Sequence, residues 1–303
     1  MELRHIRYFV AVAETGSVTV AAEQRLHTSQ PSLSRQIRDL EDEVGFPLLS
    51  RSARGMDLTP AGQAFLIHAR IILAQCDAGL EAARRAAKPA KAVFALGFLT
   101  GEEMTWLPRA LKLLRDELPN IDVKVSSDYS PDLADALARG KLDAAFLRAE
   151  DGFNLEYHVV AQDPLVMLMP SDHHLASRET IRAEDIVGEP FIGLDNKASK
   201  LRGVIDDYLK QHGISVSPTH GVDNLAMAMS LVASTRGIAL MPSYAKNLLP
   251  WSVVSRPLAG EAPTIDLVLG YSKTNSSHPL KVFLSRLSEL SYPASTPLPI
   301  GKA

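Results

Sequence analysis

The pattern of apolar residues changes once along this chain, near residue 90, and that change limits the folds open to it. Before it, apolar residues recur every three or four positions, as Leu3, Ile6 and Val10 do, which predicts amphipathic helices. From residue 91, short apolar runs such as "VFALGFL" alternate with helical segments, which predicts an α/β domain with mostly parallel strands. The 303 residues are enough for at least two separately packed units.

The first 45 residues predict three short helices. The third begins after Thr28 or Ser29, either of which suits the N-cap, and has Pro31 in its first turn. Gly45 stands where a helix end expects glycine. A tight polar turn joins the second helix to the third, and the first helix is expected to pack behind them. This arrangement predicts a helix-turn-helix. In that motif the later helix enters the major groove of DNA.

The N-terminal part of the third helix presents side chains that suit DNA. Arginine can bond guanine, glutamine can bond adenine, and serine or threonine can bond phosphate oxygens. The predicted DNA-contacting residues are Thr28, Ser29, Gln30, Pro31, Ser34, Arg35 and Arg38 on this helix, with Arg51 and Arg54 in the hairpin that follows. The acidic residues Asp39, Glu41, Asp42 and Glu43 occupy the far end of the helix and are expected to point away from DNA.

Bulk charge does not indicate a nucleic-acid binder. The whole chain has a formal net charge of -3, and its first 60 residues contain 7 Lys or Arg against 8 Asp or Glu. A typical DNA-binding domain has a clear basic excess. The prediction of DNA binding therefore depends on the geometry of one helix face.

A β-hairpin, or wing, is predicted over residues 46–59, where Thr59 caps a helix that has Pro60 at its first position. That helix, 60–87, is Ala-rich and too long for a compact three-helix domain. It is predicted to link the domains and to pair with a copy of itself; the alternative is that it packs on its own C-terminal domain. The predicted domains are a winged helix-turn-helix at 1–59, a linker helix at 60–88 and an effector-binding α/β domain at 91–303.

These stretches resemble the LysR-type transcriptional regulators. The N-terminal signature of that family is similar to "FVAVAETGSVTVAAEQRLHTSQPSLSRQIRDLEDEVGFPLLSR" and "LTPAG". A weaker resemblance continues to about residue 290 through "LPRALKLLRDELPNIDVKV", "LADALARGKLDAAFLR" and "LVASTRGIALMP". The phrases "HTSQPSLSRQI" and "RPLAG" also resemble the branch that controls the breakdown of aromatic acids, including phenylpropionate-type regulators. Leu49 stands where the family usually has Phe, which is a conservative change.

The resemblance implies a C-terminal domain of two lobes, similar to periplasmic solute-binding proteins, with a carboxylate or aromatic-acid effector between them. It also implies a homodimer that assembles into a homotetramer on a pseudo-palindromic site in double-stranded DNA. Activation of a neighbouring operon, repression of its own gene and contact with RNA polymerase would follow from membership of the family.

Residues that suit an anionic effector lie where strands give way to helices. Thr100 and Ser130 each precede a helix after a strand, and the carboxyl ends of parallel strands meet at one edge of a sheet. Helix N-termini favour small anions. Arg148 ends the strand "LDAAFLR" and is a candidate counter-ion, or else a surface ion-pair residue. Phe191 is a candidate apolar wall or a plain core residue, and Asn224 lies at another strand–helix junction.

No cofactor and no metal site is predicted. His173 and His174 are adjacent but have no third ligand at a useful spacing in the sequence. The single cysteine, Cys76, excludes an internal disulfide and fits a reducing cytoplasm. No apolar run approaches the roughly 20 residues that span a bilayer, and the N-terminus predicts a helix and not a signal peptide. A cytoplasmic protein without a membrane partner is expected.

Two other classes of protein compete with a regulator. The first is a cytoplasmic solute-binding protein whose N-terminal helices serve only for oligomerisation; the arginines predicted to meet DNA argue against it. The second is an enzyme with an α/β core. The sequence contains no GxGxxG, GxxxxGK or GxSxG motif and no nucleophile–base arrangement, so no enzymatic activity is predicted.

Overall fold

A computed structural model of the chain describes residues 1–52, 55–87, 93–195 and 199–290. The chain divides into two compact units. The first contains Met1–Pro89 with the short segments Ala138–Lys141 and Asp151–Asn154, and the second contains the remainder. Within the described residues, no helix combines the length and the apolar character needed to cross a membrane.

The first unit begins with three helices, then has a hairpin and a long helix. Its elements are α1 (Leu3–Thr15), α2 (Val18–Val20, continuing as a π-helical segment Ala21–Leu26), α3 (Gln30–Val44), β1 (Leu49–Ser52), β2 (Gly55–Leu58) and α4 (Pro60–Ala86). Ser29 is the N-cap of α3, because its Oγ accepts the N–H of Ser32 at 3.4 Å. Gly45 ends the helix in the left-handed region with φ 83°. The predicted start and end of α3 are confirmed.

One apolar core holds the helices of this unit together. Phe9 of α1 and Leu33 and Leu40 of α3 are fully buried in it. Phe9 meets Phe65 of α4 edge-on, with 5.3 Å between the ring centroids. The first turn of α4 lies so close to the hairpin that a Cβ added at Gly62 would stand 1.9 Å from the carbonyl oxygen of Leu48. These contacts fix how α3 and the hairpin are presented.

The second part of the chain alternates strands and helices, as predicted. Its elements are β3 (Val93–Leu99), α5 (Glu103–Glu117), β4 (Asp122–Asp128), α6 (Ser130–Ala138), β5 (Ala144–Leu147), β6 (Leu155–Pro170), β7 (Ile192–Leu194), α7 (Ser199–Gln211), β8 (His220–Val222), α8 (Leu225–Thr235), β9 (Ala239–Pro242), β10 (Val253–Pro257), β11 (Thr264–Ser272), α9 (His278–Ser285) and α10 (Leu287–Leu290).

The prediction of mostly parallel strands was wrong. The main sheet has the order β10-β6-β11-β5-β3-β4, with β9 also paired to β6. Only β3 with β4, β3 with β5, and β7 with β8 are parallel among the named strands of the described residues, whereas every pairing of β6 and β11 is antiparallel. The apolar run "PLVMLMP" indicated a short strand, but β6 has 16 residues. The first half of β6 alternates polar and apolar residues and was not predicted as strand.

The strands β6 and β11 connect two lobes, and each lobe has its own apolar core. In the first lobe Phe98 stacks on Phe146 at 5.2 Å within a cluster that contains buried Trp106. In the second lobe Met167 and Leu240 are buried in another cluster. The N-terminal half of β6 pairs with β11, and its C-terminal half pairs with β9 and β10. The strand therefore passes from one lobe to the other near Pro164.

Candidate functional site

The predicted DNA-contacting residues of α3 come together on one exposed surface. Leu33, Ile37 and Leu40 point into the core, so the intervening residues face outward. Ser29, Gln30, Pro31, Arg35 and Arg38 are exposed, and Thr28 and Ser34 are partly exposed. We call this set the α3 surface. It has the shape expected of a helix that enters a groove, because its polar end is not covered by the rest of the unit.

Hydrogen bonds within the α3 surface position some of its side chains. Gln30 Nε2 donates to Ser34 Oγ at 3.0 Å, and Arg38 Nε donates to the carbonyl oxygen of Ser34 at 3.3 Å. The guanidinium of Arg35 makes no ion pair or hydrogen bond to any part of the chain that the structure describes. Arg35 is therefore the side chain of this surface with the most donors left for DNA.

Glu41 attaches the hairpin to α3. Its Oε1 accepts the backbone N–H groups of Leu48 at 2.7 Å and Leu49 at 3.0 Å. The sequence placed Glu41 only in an acidic cluster pointing away from DNA, and nothing in its spacing revealed this second role. Arg51, in β1, is exposed and lies opposite Met56. Arg54, the other predicted arginine of the wing, lies outside the described residues.

An irregular turn leads into α3. The segment Ala21–Leu26 is π-helical, and His27 adopts φ 48°, a left-handed conformation that is uncommon outside glycine. The N–H of Thr28 donates to the carbonyl oxygen of Ala22 at 3.0 Å. Single π-helical turns are frequent at functional sites. Here the turn sets where Thr28 and the start of α3 lie.

A cavity of about 190 Å³ in the second unit contains four of the five predicted effector residues. Thr100, Ser130, Arg148 and Asn224 line it. The other lining residues are mostly apolar or aromatic: Leu99, Tyr129, Glu150, Leu194, Lys200, Leu201, Asp223, Leu225, Ala226, Met241, Pro242 and Tyr244. The cavity thus combines an apolar interior with a few polar groups, as small-molecule sites do.

Phe191 does not line this cavity, and the prediction that it forms an apolar wall is corrected. It is only 4% exposed and lies in the core of the second lobe. Its backbone forms a bridge with Ile238, which holds the residue inside the lobe. Phe191 instead borders a second cavity, of about 450 Å³, beside α7. That cavity is larger, but it lies within one lobe, and Leu194 is the lining residue that it shares with the first cavity.

The polar residues of the first cavity are held by neighbouring groups. Ser130 Oγ accepts the backbone N–H of Arg148 at 2.9 Å, and Thr100 Oγ1 accepts a hydrogen bond from Ser127 Oγ at 3.2 Å. Asn224 caps α8, since its Oδ1 accepts the N–H of Met227 at 2.7 Å. Because the two hydroxyl groups act as acceptors here, each keeps its own proton to donate to a ligand.

The first turns of three helices line the same cavity. Ser130 begins α6, Leu201 lies in the first turn of α7, and Leu225 begins α8. The first N–H groups of a helix have no partner within the helix, and the helix dipole places partial positive charge there. These helix starts therefore offer positive partial charge to an anionic group, beside the charged lining residues Glu150, Lys200 and Asp223.

Arg148 reaches the cavity with its charge already balanced. Its Nη2 donates to Glu102 Oε1 at 3.1 Å and to Asp163 Oδ2 at 3.0 Å, and Nη1 donates to the carbonyl oxygen of Ile265 at 3.4 Å. Burial, reinforced by the charge of Asp163, raises the pKa of Glu102 well above 4.5. Glu102 therefore holds its proton more readily than an exposed carboxyl group, and Asp163 is the second acidic partner of Arg148. The role of open counter-ion that the sequence suggested for Arg148 is not supported.

A buried tyrosine lies beside this network. Tyr244 has its ring 5.9 Å from the Arg148 guanidinium carbon, and burial raises the pKa of its hydroxyl. Sequence reasoning missed Glu102, Asp163 and Tyr244. None of them belongs to a recognisable motif, and only the fold brings them together.

Two family models match the chain. The model described as "Bacterial regulatory helix-turn-helix protein, lysR family" matches residues 3–63, and the model described as "LysR substrate binding domain" matches residues 89–291. The first match covers the α3 surface and the hairpin. The second covers all the residues described above as lining the cavity.

Relatives and solved structures match along nearly the whole chain. The Hca operon transcriptional activator HcaR of Escherichia coli is 35% identical over 291 residues, which cover 95% of this chain and 98% of HcaR. The transcriptional regulator BenM of Acinetobacter baylyi is 30% identical over 267 residues, which cover 85% of this chain and 86% of BenM. The crystal structure of full-length BenM matches with a TM-score of 0.58 at 26% identity, covering 96% of each chain.

Proposed function

The chain belongs to the LysR family of bacterial transcriptional regulators, and from that premise we propose that an aromatic carboxylic acid in the cavity controls its action on DNA. The chain is a DNA-binding regulator with an effector-binding domain, and the family consists of regulators and not of enzymes. The alternative of a solute-binding protein without a DNA-binding role receives no support from the relatives.

In the proposed complex, α3 enters the major groove of double-stranded DNA. Arg35 and Gln30 contact bases, and the hydroxyl groups at the start of the helix contact phosphates. Thr28, Ser29, Pro31, Ser34 and Arg38 complete the contact surface, with Arg51 and Arg54 on the backbone or in the minor groove. The support is the exposure of the α3 surface, together with the guanidinium of Arg35, which has no partner within the described residues.

Members of this family form oligomers, and α4 is the proposed dimer helix here. Leu80 of α4 is 55% exposed, and pairing with a second copy of α4 would remove this large apolar side chain from water. Two helix-turn-helix units in such a dimer would read a pseudo-palindromic site. We also propose that two such homodimers assemble into a homotetramer. The proposed domain limits remain 1–59, 60–88 and 91–303.

The effector class is inferred from the lining of the cavity, which is the observation that carries the proposal. An apolar cavity of about 150 Å³ is enough to hold benzene, so about 190 Å³ accommodates an aromatic ring with a short acidic side chain. Leu201, Met241 and the ring of Tyr244 suit the aromatic part. The first turns of α6, α7 and α8, with the hydroxyl groups of Thr100 and Ser130, suit the carboxylate.

An effector in this position would act on the strands that join the lobes. Arg148 lines the cavity and donates to Asp163 on β6 and to Ile265 on β11, where both strands pass between lobes. A ligand changes a conformational equilibrium only through different affinities for the two states. We propose that the acid favours one arrangement of the lobes, and that this arrangement activates a neighbouring operon with RNA polymerase as partner. The protein would work in the cytoplasm, where that DNA is.

Calorimetric titration of the full-length protein tests the effector class. 3-Phenylpropionate and benzoate are compared with benzyl alcohol, which lacks the charge, and with hexanoate, which lacks the ring. We expect saturable binding of at least one aromatic acid and clearly weaker binding of both controls. Binding that is equally strong for hexanoate, or absent for every aromatic acid, would refute the aromatic-acid proposal while leaving DNA binding unaffected.

A further inference from the structure

We propose that His173, His174 and Glu189 form a binding site for one divalent transition-metal ion of the zinc, cobalt or nickel type. His173 and His174 follow β6 at the start of a short 3₁₀ turn, and Glu189 lies two residues before Phe191. The site is in the second lobe and shares no residue with the effector cavity. The inference is independent of the aromatic-acid proposal.

The donor atoms are already close enough to share an ion. His173 Nε2 lies 3.2 Å from Glu189 Oε2, and His174 Nε2 lies 3.4 Å from Glu189 Oε1. Ligand atoms of all three residues lie within 4.8 Å of one another. A tetrahedral ion with ligands at about 2.0–2.1 Å separates neighbouring donor atoms by roughly 3.3 Å. The two separations are close to that value, and the shorter one also allows a hydrogen bond between His173 and Glu189 in the metal-free protein.

The two histidine rings lie side by side despite being adjacent in the chain. Their centroids are 4.5 Å apart and their planes are inclined by 33°. The side chain of His173 is 5% exposed, that of Glu189 is 19% and that of His174 is 66%. One side of the site is therefore backed by protein, and the other is open to water, which can supply a fourth ligand.

The donor set selects the class of ion. Two imidazole nitrogens and one carboxylate oxygen suit zinc, cobalt, nickel or copper, whereas magnesium and calcium prefer sites made of oxygen ligands. Two histidines and a glutamate also form a known three-residue ligand set for zinc. We therefore expect a transition metal, and not an alkaline-earth ion, to bind here.

Binding requires one change of tautomer at His173. In the metal-free protein its Nδ1 accepts the N–H of Leu175 at 3.3 Å, so the proton of the neutral ring is on Nε2, facing Glu189. A metal ion bound to Nε2 requires the proton to be on Nδ1 instead. The hydrogen bond from the N–H of Leu175 to Nδ1 is then lost. That bond is long and correspondingly weak. Loss of that bond lowers the affinity for metal below that of a site in which Nδ1 already carries the proton.

Zinc titration of the full-length protein, without an affinity tag and freed of metal by a chelator, tests the site. The variants are His174→Gln and Glu189→Gln, and the control is His220→Gln, which removes an exposed histidine elsewhere. We expect one zinc ion per chain in the wild type and in the control. Loss of a direct ligand should weaken binding by about tenfold or more, since even second-sphere changes cost about 10- to 100-fold. Cobalt absorption bands should be lost in parallel.

The folding of the variants is checked separately, by thermal unfolding without metal. His174 is mostly exposed, so His174→Gln should unfold like the wild type. Zinc should then raise the unfolding midpoint of the wild type and of His220→Gln, but not that of the two ligand variants. The proposal is overturned if the wild type shows no saturable zinc binding, or if binding survives unchanged in His174→Gln and Glu189→Gln.

Discussion

The Oγ of Ser130 accepts the backbone N–H of Arg148 at 2.9 Å, which ties the start of α6 to the end of the strand β5. Both residues are 6% exposed, so water cannot replace this hydrogen bond. Ser130 thus has two roles in the wall of the cavity. It satisfies a buried N–H group, and its own proton remains for a ligand.

Ser130→Ala should weaken the binding of an aromatic acid. A hydrogen bond is worth about 0.5–1.5 kcal/mol, so we expect an increase in Kd of roughly 2- to 12-fold by calorimetry, with DNA affinity in the absence of effector unchanged. Ser126→Ala is the matched control, because Ser126 is exposed on β4 and does not line the cavity. An effector affinity equal to that of the wild type would remove Ser130 from the binding site.

Arg35→Ala should reduce binding to the specific DNA site. Loss of a base contact by arginine costs about 1–3 kcal/mol, or roughly 5- to 150-fold in Kd. Arg35→Lys keeps the charge but cannot form bidentate hydrogen bonds to a base. This variant should still bind DNA, but it should distinguish the specific site less well from a scrambled site. Arg115→Ala, which removes an exposed charge from α5 in the second unit, serves as control. Unchanged affinity in Arg35→Ala would show that α3 binds DNA differently or not at all.

Leu80→Glu should weaken dimerisation through α4. Leu80 is 55% exposed in the single chain, and an unpaired carboxylate buried at an interface would cost several kcal/mol. About 3 kcal/mol corresponds to a roughly 150-fold higher dissociation constant, which sedimentation can measure. Ala82 is exposed as well but lies about 200° further round the helix, so Ala82→Glu should associate normally. Equal masses for the two variants would contradict pairing through this face.

Glu102→Gln should change how stability depends on pH. Burial raises the pKa of Glu102 well above 4.5 in the folded protein. As pH rises above 4.5, the unfolded chain therefore loses this proton first, and the free energy of unfolding falls. Glutamine cannot ionise, so the variant should gain stability relative to the wild type as pH rises above 4.5.

Urea unfolding at several pH values, followed by Trp fluorescence, measures this difference. Trp106 is 2% exposed and lies in the core of the same lobe, whereas Trp251 is 93% exposed. The fluorescence change therefore reports mainly on the surroundings of Glu102. Glu179→Gln, at an exposed position in the second lobe, is the control. A stability difference between Glu102→Gln and wild type that stays constant with pH would contradict a raised pKa.

Local signals in the sequence were sufficient for the helix-turn-helix. Caps and periodicity act within a few residues, so Ser29, Pro31 and Gly45 are enough to mark the limits of α3. The same local logic placed Thr100, Ser130 and Asn224 at strand–helix junctions, and the fold brings them to one cavity. Their roles in binding remain predictions.

Contacts between distant residues could not be predicted in this way. The partners of Arg148 lie 46 and 15 residues away in the chain, and no spacing rule connects them. Glu189 reaches His173 from 16 residues away, which is why the histidine pair suggested no metal site. Phe191 was misplaced because an apolar residue at a strand end fits a cavity wall and a core equally well. The antiparallel pairing of β6 and β11 was also not predicted, because no motif in either strand indicates the direction of its neighbour.

The most direct test of the account is selection of fragments of the host genome by the purified full-length protein at near-physiological salt, with and without 3-phenylpropionate or benzoate. We expect enrichment of a few fragments that share an imperfect dyad, and a change in occupancy or in the protected region when the effective acid is present. Folded protein that enriches no fragment under either condition would contradict an effector-controlled regulator.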